Sequence, residues 1–325
     1  MRAAVYERYG SPDVVELRQV EKPTPKDVEV LIKIHATTVN SGDSRVRSLN
    51  VPRGFGLLAR LALGVCKPRQ AILGSELAGT VEAVGKNVRR FKVGDAVVGY
   101  GGANMGFHAE YRCMRENEAL ESMPTNLTFE QAAALSFGGT TALHFLRKGN
   151  VSRGDKVLIH GASGAVGLAC VQLARHFGAE VTGVCSTENV ELVRSLGAHQ
   201  VIDYTREDFT KNGQTYDVIV DTVGSAPFSR SARSLGERGR LLMICATLGD
   251  NLSSLWISLR GGKKVIAGVS LGTPAELREV VALARTGEFK PVIDRPYPFE
   301  QIVEAHRYVD GGHKKGSVVI TFVSQ

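Results

Sequence analysis

The most regular hydrophobic pattern in the chain is an apolar run that leads into evenly spaced glycines and then into a helical period. Residues 157–159 are continuously apolar and predict a buried strand. Gly161, Gly164 and Gly167 follow, and apolar residues then recur at helical spacing as far as Ala174. A strand, a tight glycine turn and a helix open a dinucleotide-binding unit. The glycines allow the sharp turn, the approach of a pyrophosphate and close helix packing, while the helix start favours phosphate charge.

Later apolar runs extend this pattern into a sheet. Residues 180–185, 217–221, 240–244 and 264–269 each predict a strand, and helix-like segments separate them. Glycine triplets also occur in ordinary turns of α/β proteins, so the triplet alone is weak support for nucleotide binding. Its alternation with further strands predicts a doubly wound parallel sheet with helices on both faces.

The first 124 residues have a different pattern. Alternating or short apolar runs at 28–36, 80–85 and 95–100 end in glycine turns and predict a small β-rich, barrel-like unit. Helical patterning begins after Pro124, where Thr128 and Gln131 have the spacing of a capping box.

One apolar stretch, residues 54–65, does not fit the β-rich pattern. It predicts a short helix that covers a cleft, with a membrane-surface anchor as the alternative. Arg60 alone makes a poor cationic face for such an anchor. No apolar run is long enough to cross a bilayer, and the chain starts directly on a strand-like segment. We therefore expect no membrane partner.

Composition and charge narrow the function further. The 325 residues carry a formal charge of +7, spread along the chain without a basic run interleaved with aromatics. Nucleic acid is therefore not an expected partner, whereas an anionic cofactor suits a mild positive field. The five cysteines show no C-x-x-C spacing, which favours buried free thiols in a reducing compartment, the cytoplasm.

Six motifs in a shared order carry a resemblance to a known family. They are residues 39–43 (VNSGD), 74–81 (GSELAGTV), 93–97 (VGDAV), 139–142 (GTTA), 161–167 (GASGAVG) and 201–204 (VIDY). Together they resemble the zinc-less quinone oxidoreductase-like branch of the medium-chain dehydrogenase/reductase superfamily, over nearly the whole chain.

The resemblance implies an α/β protein of two domains. A GroES-like β-rich catalytic domain would comprise residues 1–124 and 271–325, and a Rossmann nucleotide-binding domain residues 125–270. The cleft between them would hold a nicotinamide cofactor and a small electrophilic substrate. The family also implies a homodimer that pairs through the last Rossmann strand, near residues 264–269.

The same resemblance indicates, residue by residue, whether the chain has the ligands to bind zinc. Zinc-dependent relatives carry Cys where Asn40 stands and His where Ser75 stands, and the chain has no four-cysteine lobe. Asn and Ser are poor zinc ligands, so we expect no metal. Without a Lewis acid, hydride transfer to a quinone or an α,β-unsaturated carbonyl is favoured over alcohol oxidation. A zinc-independent alcohol or carbonyl dehydrogenase and a low-turnover NADPH-binding sensor or scaffold are the alternatives.

Few acid–base groups are needed for such a reaction. The predicted catalytic residues are Asn40, Asp43 and Arg45, which match positions on the nicotinamide side in relatives. Asn40 either positions substrate or bonds the turn backbone. Asp43 either orients neighbouring residues or caps the turn. Arg45 either binds an acidic or carbonyl group of the substrate or lies on the surface. His108 and His160 are weaker candidates: His108 is expected in a loop, and His160 at a strand end, where backbone bonds would hold it.

Cofactor preference depends on the end of the second strand of the nucleotide unit. NAD-selective units place an acid there, but this chain has Ser186 and Thr187, which leave room for a 2′-phosphate. Tyr204 matches a family position near that phosphate, and Arg206 could add positive charge there. Glu188 would repel the phosphate unless its side chain points to solvent. NADPH is therefore expected over NADH. The predicted cofactor-binding residues are Thr141, Gly161, Ser163, Gly164, Ala165, Val166, Gly167, Ser186, Thr187, Tyr204, Val223 and Ala246.

Overall fold

The computed structural model describes residues 1–259 and 262–322, which form fifteen strands and ten α-helices. The strands are β1 (Arg2–Val5), β2 (Glu16–Gln19), β3 (Glu29–Val39), β4 (Glu76–Val84), β5 (Ala96–Tyr100), β6 (Tyr111–Arg115), β7 (Leu120–Ser122), β8 (Lys156–His160), β9 (Glu180–Cys185), β10 (Gln200–Asp203), β11 (Tyr216–Asp221), β12 (Leu235–Met243), β13 (Lys264–Ala267), β14 (Ile293–Pro298) and β15 (Ser317–Thr321). The helices are α1 (Ser41–Ser48), α2 (Gly56–Leu63), α3 (Phe129–Ala133), α4 (Ser136–Lys148), α5 (Ala165–His176), α6 (Val190–Ser195), α7 (Phe228–Ser231), α8 (Leu248–Leu259), α9 (Pro274–Thr286) and α10 (Ile302–Asp310).

The chain divides into two compact units. The first contains the described residues of 1–51, 56–140 and 271–325, and the second those of 52–55 and 141–270. Residues 125–140, which the sequence analysis places in the nucleotide-binding domain, group with the first unit. They do so because α3 packs against β3 and β4. The capping box that begins α3 is confirmed, since Thr128 and Gln131 exchange hydrogen bonds of 3.3 and 3.0 Å.

The first unit is built on a largely antiparallel sheet. Its strand order is β14-β15-β3-β4-β5-β7, and β6 also pairs with β3. Val30, Ile32 and Ile34 alternate along β3 and are fully buried against Leu77 and Val97. The predicted β-rich unit is therefore present. Its period-two pattern directs one face of β3 into the core.

The second unit is built on six parallel strands in the order β10-β9-β8-β11-β12-β13. This is the strand order of the doubly wound dinucleotide-binding sheet, whose order reverses between β8 and β11. The central residues 157–159 are fully buried, as expected for a parallel sheet with both faces covered. The predicted parallel sheet is confirmed.

The glycine loop between β8 and α5 has the backbone that its sequence predicts. Gly161 has a φ of +80°, a region that favours glycine. A Cβ added to Gly167 would lie 2.1 Å from the carbonyl oxygen of Gly161, so only glycine lets α5 pack this closely on the loop. A Cβ at Gly164, by contrast, would meet no described atom closer than 3.8 Å. A Cβ there would make only an ordinary van der Waals contact, so position 164 is uncrowded.

The apolar stretch at residues 54–65 forms α2, and none of its side chains is buried. The hydroxyl of Tyr9 donates to the carbonyl of Gly64 and fixes the end of this helix within the first unit. Among the described residues, no helix is both long and apolar enough to span a bilayer.

We expect the close approach at Gly167 to make that position intolerant of any side chain. Gly167→Ala should lower the free energy of unfolding by about 3 kcal/mol, because its methyl group would overlap a backbone oxygen. Gly164→Ala is the matched control and should change it by less than about 1 kcal/mol. Urea denaturation of both variants measures the difference. Equal stabilities would contradict the packing described for α5.

Candidate functional site

In the second unit, the predicted cofactor residues gather at one edge of the parallel sheet. The carboxyl ends of parallel strands share an edge, so the segments that follow β8, β9, β10, β11 and β12 lie there together. These segments carry the glycine loop with Ser163, Gly164, Ala165 and Val166, together with Ser186, Thr187, Tyr204, Val223 and Ala246. Thr141 is not in one of these segments; it lies in α4, where it is buried.

The start of α5 is suited to an anion. Gly164 is the N-cap residue and supplies no side-chain hydrogen bond. The first N–H groups of a helix have no intrahelical acceptor, and the helix dipole is positive at this end. Because a Cβ at Gly164 would meet nothing closer than 3.8 Å apart from its chain neighbours, this helix start is uncrowded, as an anion-binding site requires.

The end of β9 carries hydroxyl groups in place of an acid. Ser186 is half-buried and accepts a 2.8 Å hydrogen bond from the amide of Asn189. The hydroxyl of Thr187 donates to Asp203, the last residue of β10. Tyr204 and Glu188 are both exposed. The side chains here are those expected from the sequence, with Asp203 as an additional acidic group.

Asp221 and His160, which lie beside this edge, were given too little weight in the sequence analysis. Asp221 is fully buried at the end of β11 and accepts hydrogen bonds from the N–H groups of Val223, Gly224 and Ala226 at 3.1, 2.9 and 2.8 Å. It shapes the loop that carries Val223. The sequence signal for this role is an acidic residue at the end of an apolar strand, three positions before a glycine.

His160 has a partner different from the one expected. Its Nε2 is 2.8 Å from the hydroxyl of Ser225 in the same loop, so a side chain rather than the backbone holds it. Burial lowers the pKa of His160, which keeps the ring neutral near pH 7. The two residues link the ends of β8 and β11.

In the first unit, Asn40 and Asp43 form the N-terminal cap of α1. Asn40 Oδ1 accepts from the N–H groups of Gly42 and Asp43 at 2.8 and 3.1 Å, and Asp43 Oδ2 accepts from the Asn40 N–H at 2.9 Å. Both side chains are buried. The turn-capping roles that were left open for these residues are therefore present in the structure.

The Asn40 amide also joins the first turn of α1 to β4. Its Nδ2 donates to Ser75 Oγ at 3.1 Å and to Glu76 Oε2 at 3.4 Å. Glu76 is buried as well and accepts from the Thr38 hydroxyl and the Phe137 N–H. Sequence reasoning did not select Glu76, although it lies within a quoted motif.

This arrangement does not fit a zinc ion. The oxygen and nitrogen of the Asn40 side chain are both committed to hydrogen bonds, and Ser75 offers only a neutral hydroxyl. Within residues 1–259 and 262–322, no three His, Cys, Asp or Glu side chains come together as a metal-holding group. The expectation of a metal-free enzyme stays a prediction, which this donor set supports.

Burial changes the protonation of this cluster. Burial raises the pKa of Asp43 to about 8 and that of Glu76 to about 7. His108 Nε2 bonds the Thr38 carbonyl at 2.8 Å and lies 3.9 Å from Asp43 Oδ2, and burial lowers its pKa to about 4. Near pH 7, Asp43 is thus mainly protonated and His108 is neutral.

Arg45 lies half-buried on α1, two residues after Asp43. The neighbouring Arg47 is fully buried, and its Nη2 forms a 2.6 Å ion pair with Asp310 at the end of α10. Arg47 therefore anchors α1 to α10. A substrate role for Arg45 stays a prediction.

The raised pKa of Asp43 predicts a pH-dependent stability. Between about pH 4 and about pH 8 the unfolded chain has released this proton while the folded protein retains it, so stability falls as pH rises, by up to about 1.4 kcal/mol per unit. The amide side chain introduced by Asp43→Asn cannot ionise, so this variant escapes the loss. The melting temperature of the variant minus that of the wild type should therefore be larger at pH 8 than at pH 5.5. Thermal melting across this range measures the effect.

Asp27→Asn is the control for this experiment, because Asp27 is exposed beside Lys86. Its melting profile should run parallel to that of the wild type. Parallel profiles for wild type and Asp43→Asn would show instead that Asp43 is ionised in the folded protein.

Comparison with known proteins gives the same picture as the geometry. The family model described as alcohol dehydrogenase GroES-like domain matches residues 26–126, and the one described as zinc-binding dehydrogenase matches residues 196–320. The human quinone oxidoreductase is 32% identical over 98% of this chain and 97% of its own length.

Two further proteins extend the comparison. An Arabidopsis thaliana protein named NADPH-dependent alkenal/one oxidoreductase, chloroplastic, is 30% identical over 98% of this chain and 79% of its own. The solved quinone oxidoreductase of Coxiella burnetii is 28% identical over 99% of both chains, with a TM-score of 0.88.

The expected GroES-like and Rossmann fold is thereby confirmed. This chain is an oxidoreductase and belongs to the quinone oxidoreductase-like branch of the medium-chain dehydrogenase/reductase superfamily.

Proposed function

We propose that the protein is an NADPH-dependent, metal-free oxidoreductase that transfers hydride to a quinone or an α,β-unsaturated carbonyl. The observation that carries this proposal is the open, uncapped start of α5 beside Gly164. The printed names of the human and Arabidopsis relatives support the acceptor classes. The engaged side chain of Asn40 supports chemistry without a metal.

The cofactor residues divide by the part of NADPH that they would hold. The loop from Gly161 to Gly167 and the start of α5 would bind the pyrophosphate. Ser186, Thr187 and Tyr204 would face the adenosine ribose and its 2′-phosphate. Val223 and Ala246, with Thr141 by the family resemblance, would contact the nicotinamide side. Bound NADPH supplies the hydride from nicotinamide C4.

The catalytic residues of the first unit would position the acceptor. A conjugated acceptor is already electrophilic, so alignment and exclusion of water supply most of the rate. Asn40 would act as a polar positioning group through the first turn of α1, which the four hydrogen bonds of its amide hold in place. Asp43 would hold the turn in place, and Arg45 would contact a substrate carbonyl. Activity through these groups requires no Lewis acid.

The setting that we propose is the cytoplasm, with the protein as a homodimer. The five free cysteines suit a reducing compartment. β13 is the last strand of the parallel sheet, and an edge strand can pair with a second copy. Neither nucleic acid nor membrane is part of the proposed function.

A carboxylate at position 164 should abolish coenzyme binding. Gly164→Asp would place a negative charge beside the pyrophosphate, while Gly164→Ala adds only a methyl group to open space. Calorimetric titration with NADPH should show no binding for the first variant and weakened but measurable binding for the second, because its neutral methyl group takes up part of the space that the pyrophosphate would use. Wild-type affinity in Gly164→Asp would refute the loop assignment.

Turnover separates the proposed enzyme from a low-turnover sensor. Purified protein mixed with NADPH and a panel of quinones and alkenals should oxidise the cofactor with at least one class, measured by its absorbance. Arg45→Ala should raise KM for that acceptor, while Arg89→Ala, a surface control, should not. Tight NADPH binding without turnover on any acceptor would favour the sensor instead.

A further inference from the structure

The carboxyl end of β10 places an acid beside the part of the site that distinguishes NADH from NADPH. Asp203 ends β10 and pairs in register with Cys185, the last residue of β9. Thr187, two residues beyond Cys185, donates its hydroxyl to Asp203 Oδ2. NAD-selective units carry their acid at the end of the second strand. Here a carboxylate reaches that edge from the neighbouring strand, about 4.8 Å away.

The Asp203 carboxylate is ionised and fixed in position. Its Oδ1 accepts from the N–H and the hydroxyl of Thr205 at 3.0 and 2.7 Å, in addition to the Thr187 bond on Oδ2. These hydrogen bonds, with Thr187 foremost, lower the pKa of Asp203. Only 13% of its side chain is exposed. An anion at the end of β9 would therefore meet a stationary negative charge.

Arg206 offsets this charge. Its Nε lies 3.4 Å from Asp203 Oδ2, and 76% of its side chain is exposed. A guanidinium presents five N–H donors, so it can contact a carboxylate and a phosphate at the same time. Asn189, at the start of the next helix, is neutral and bonds Ser186, so it adds no positive charge at this edge.

We propose that Asp203 and Arg206 together determine coenzyme choice. Arg206 neutralises Asp203 and binds the 2′-phosphate of NADPH. When Arg206 is removed, Asp203 repels that phosphate and accepts the ribose 2′-hydroxyl of NADH instead. This inference rests on the proposed function, because it assigns one part of the same nucleotide site.

Calorimetric titration with NADPH and with NADH tests the assignment without any acceptor. Arg206→Ala should weaken NADPH binding about tenfold, the effect of losing a charge-assisted contact, and leave NADH binding within about twofold. Adding Asp203→Asn to Arg206→Ala should recover NADPH binding by about threefold, because the repelling charge is gone. The same double variant should bind NADH more weakly than Arg206→Ala does, because the ribose 2′-hydroxyl then loses its acceptor.

Arg194→Ala is the matched control. Arg194 is an exposed arginine of α6 that pairs with Glu191, so its removal changes the net charge equally without touching Asp203. It should leave the ratio of the two affinities unchanged. The proposal would be overturned if the ratio of the NADPH and NADH affinities shifted equally in Arg194→Ala and Arg206→Ala. The overall charge of the protein would then determine coenzyme preference.

Two further results would overturn the proposal. One is an unchanged affinity ratio in Arg206→Ala. The other is a double variant that binds NADPH no better than Arg206→Ala. Failure of the proposed function itself would look different, because the wild-type protein would then bind neither coenzyme.

Discussion

The close approach of α5 to the loop that follows β8 is the constraint on which the proposed nucleotide site depends. Gly167 brings the helix against the carbonyl of Gly161, where any side chain would overlap a backbone atom. This contact fixes where the free N–H groups of the first helical turn point. A Cβ at Gly164 would lie 3.8 Å from the carbonyl oxygen of Gly161, so the helix start that carries their partial positive charge is uncrowded at this position. Packing inside the second unit thus positions the backbone of the proposed anion site.

The first unit achieves rigidity by a different means. Asn40 caps α1, bonds Ser75 and reaches Glu76, so one amide joins a helix start to a strand. Arg47 joins the same helix to α10 through Asp310. Burial keeps Asp43 largely protonated near pH 7, which avoids an isolated charge in the core. At the positions of the zinc ligands Cys and His in zinc-dependent relatives, this chain has Asn40 and Ser75, which hydrogen-bond to each other.

Patterns of short range allowed most of the fold to be predicted. The parallel strands, the glycine turn and the cap at Thr128 depend on neighbouring residues, and each was predicted correctly. The grouping of residues 125–140 with the first unit depends on the packing of α3 against β3 and β4, which no local pattern encodes.

The candidate site was predictable where backbone geometry determines it, and less so where distant side chains meet. Glu76 acquires its role from partners far along the chain, so its own sequence signal is weak. Asp203 shows the same limit. The end of β9 has no acid in the sequence, yet pairing with β10 brings one beside it.

Amide hydrogen exchange, followed with and without NADPH, tests the central claim most directly. If the pyrophosphate rests on the first turn of α5, the N–H groups of residues 163–167 should exchange more slowly when the coenzyme is bound, because the phosphate oxygens become their acceptors. NADPH that binds tightly but leaves exchange in this segment unchanged would place the coenzyme elsewhere and contradict the account.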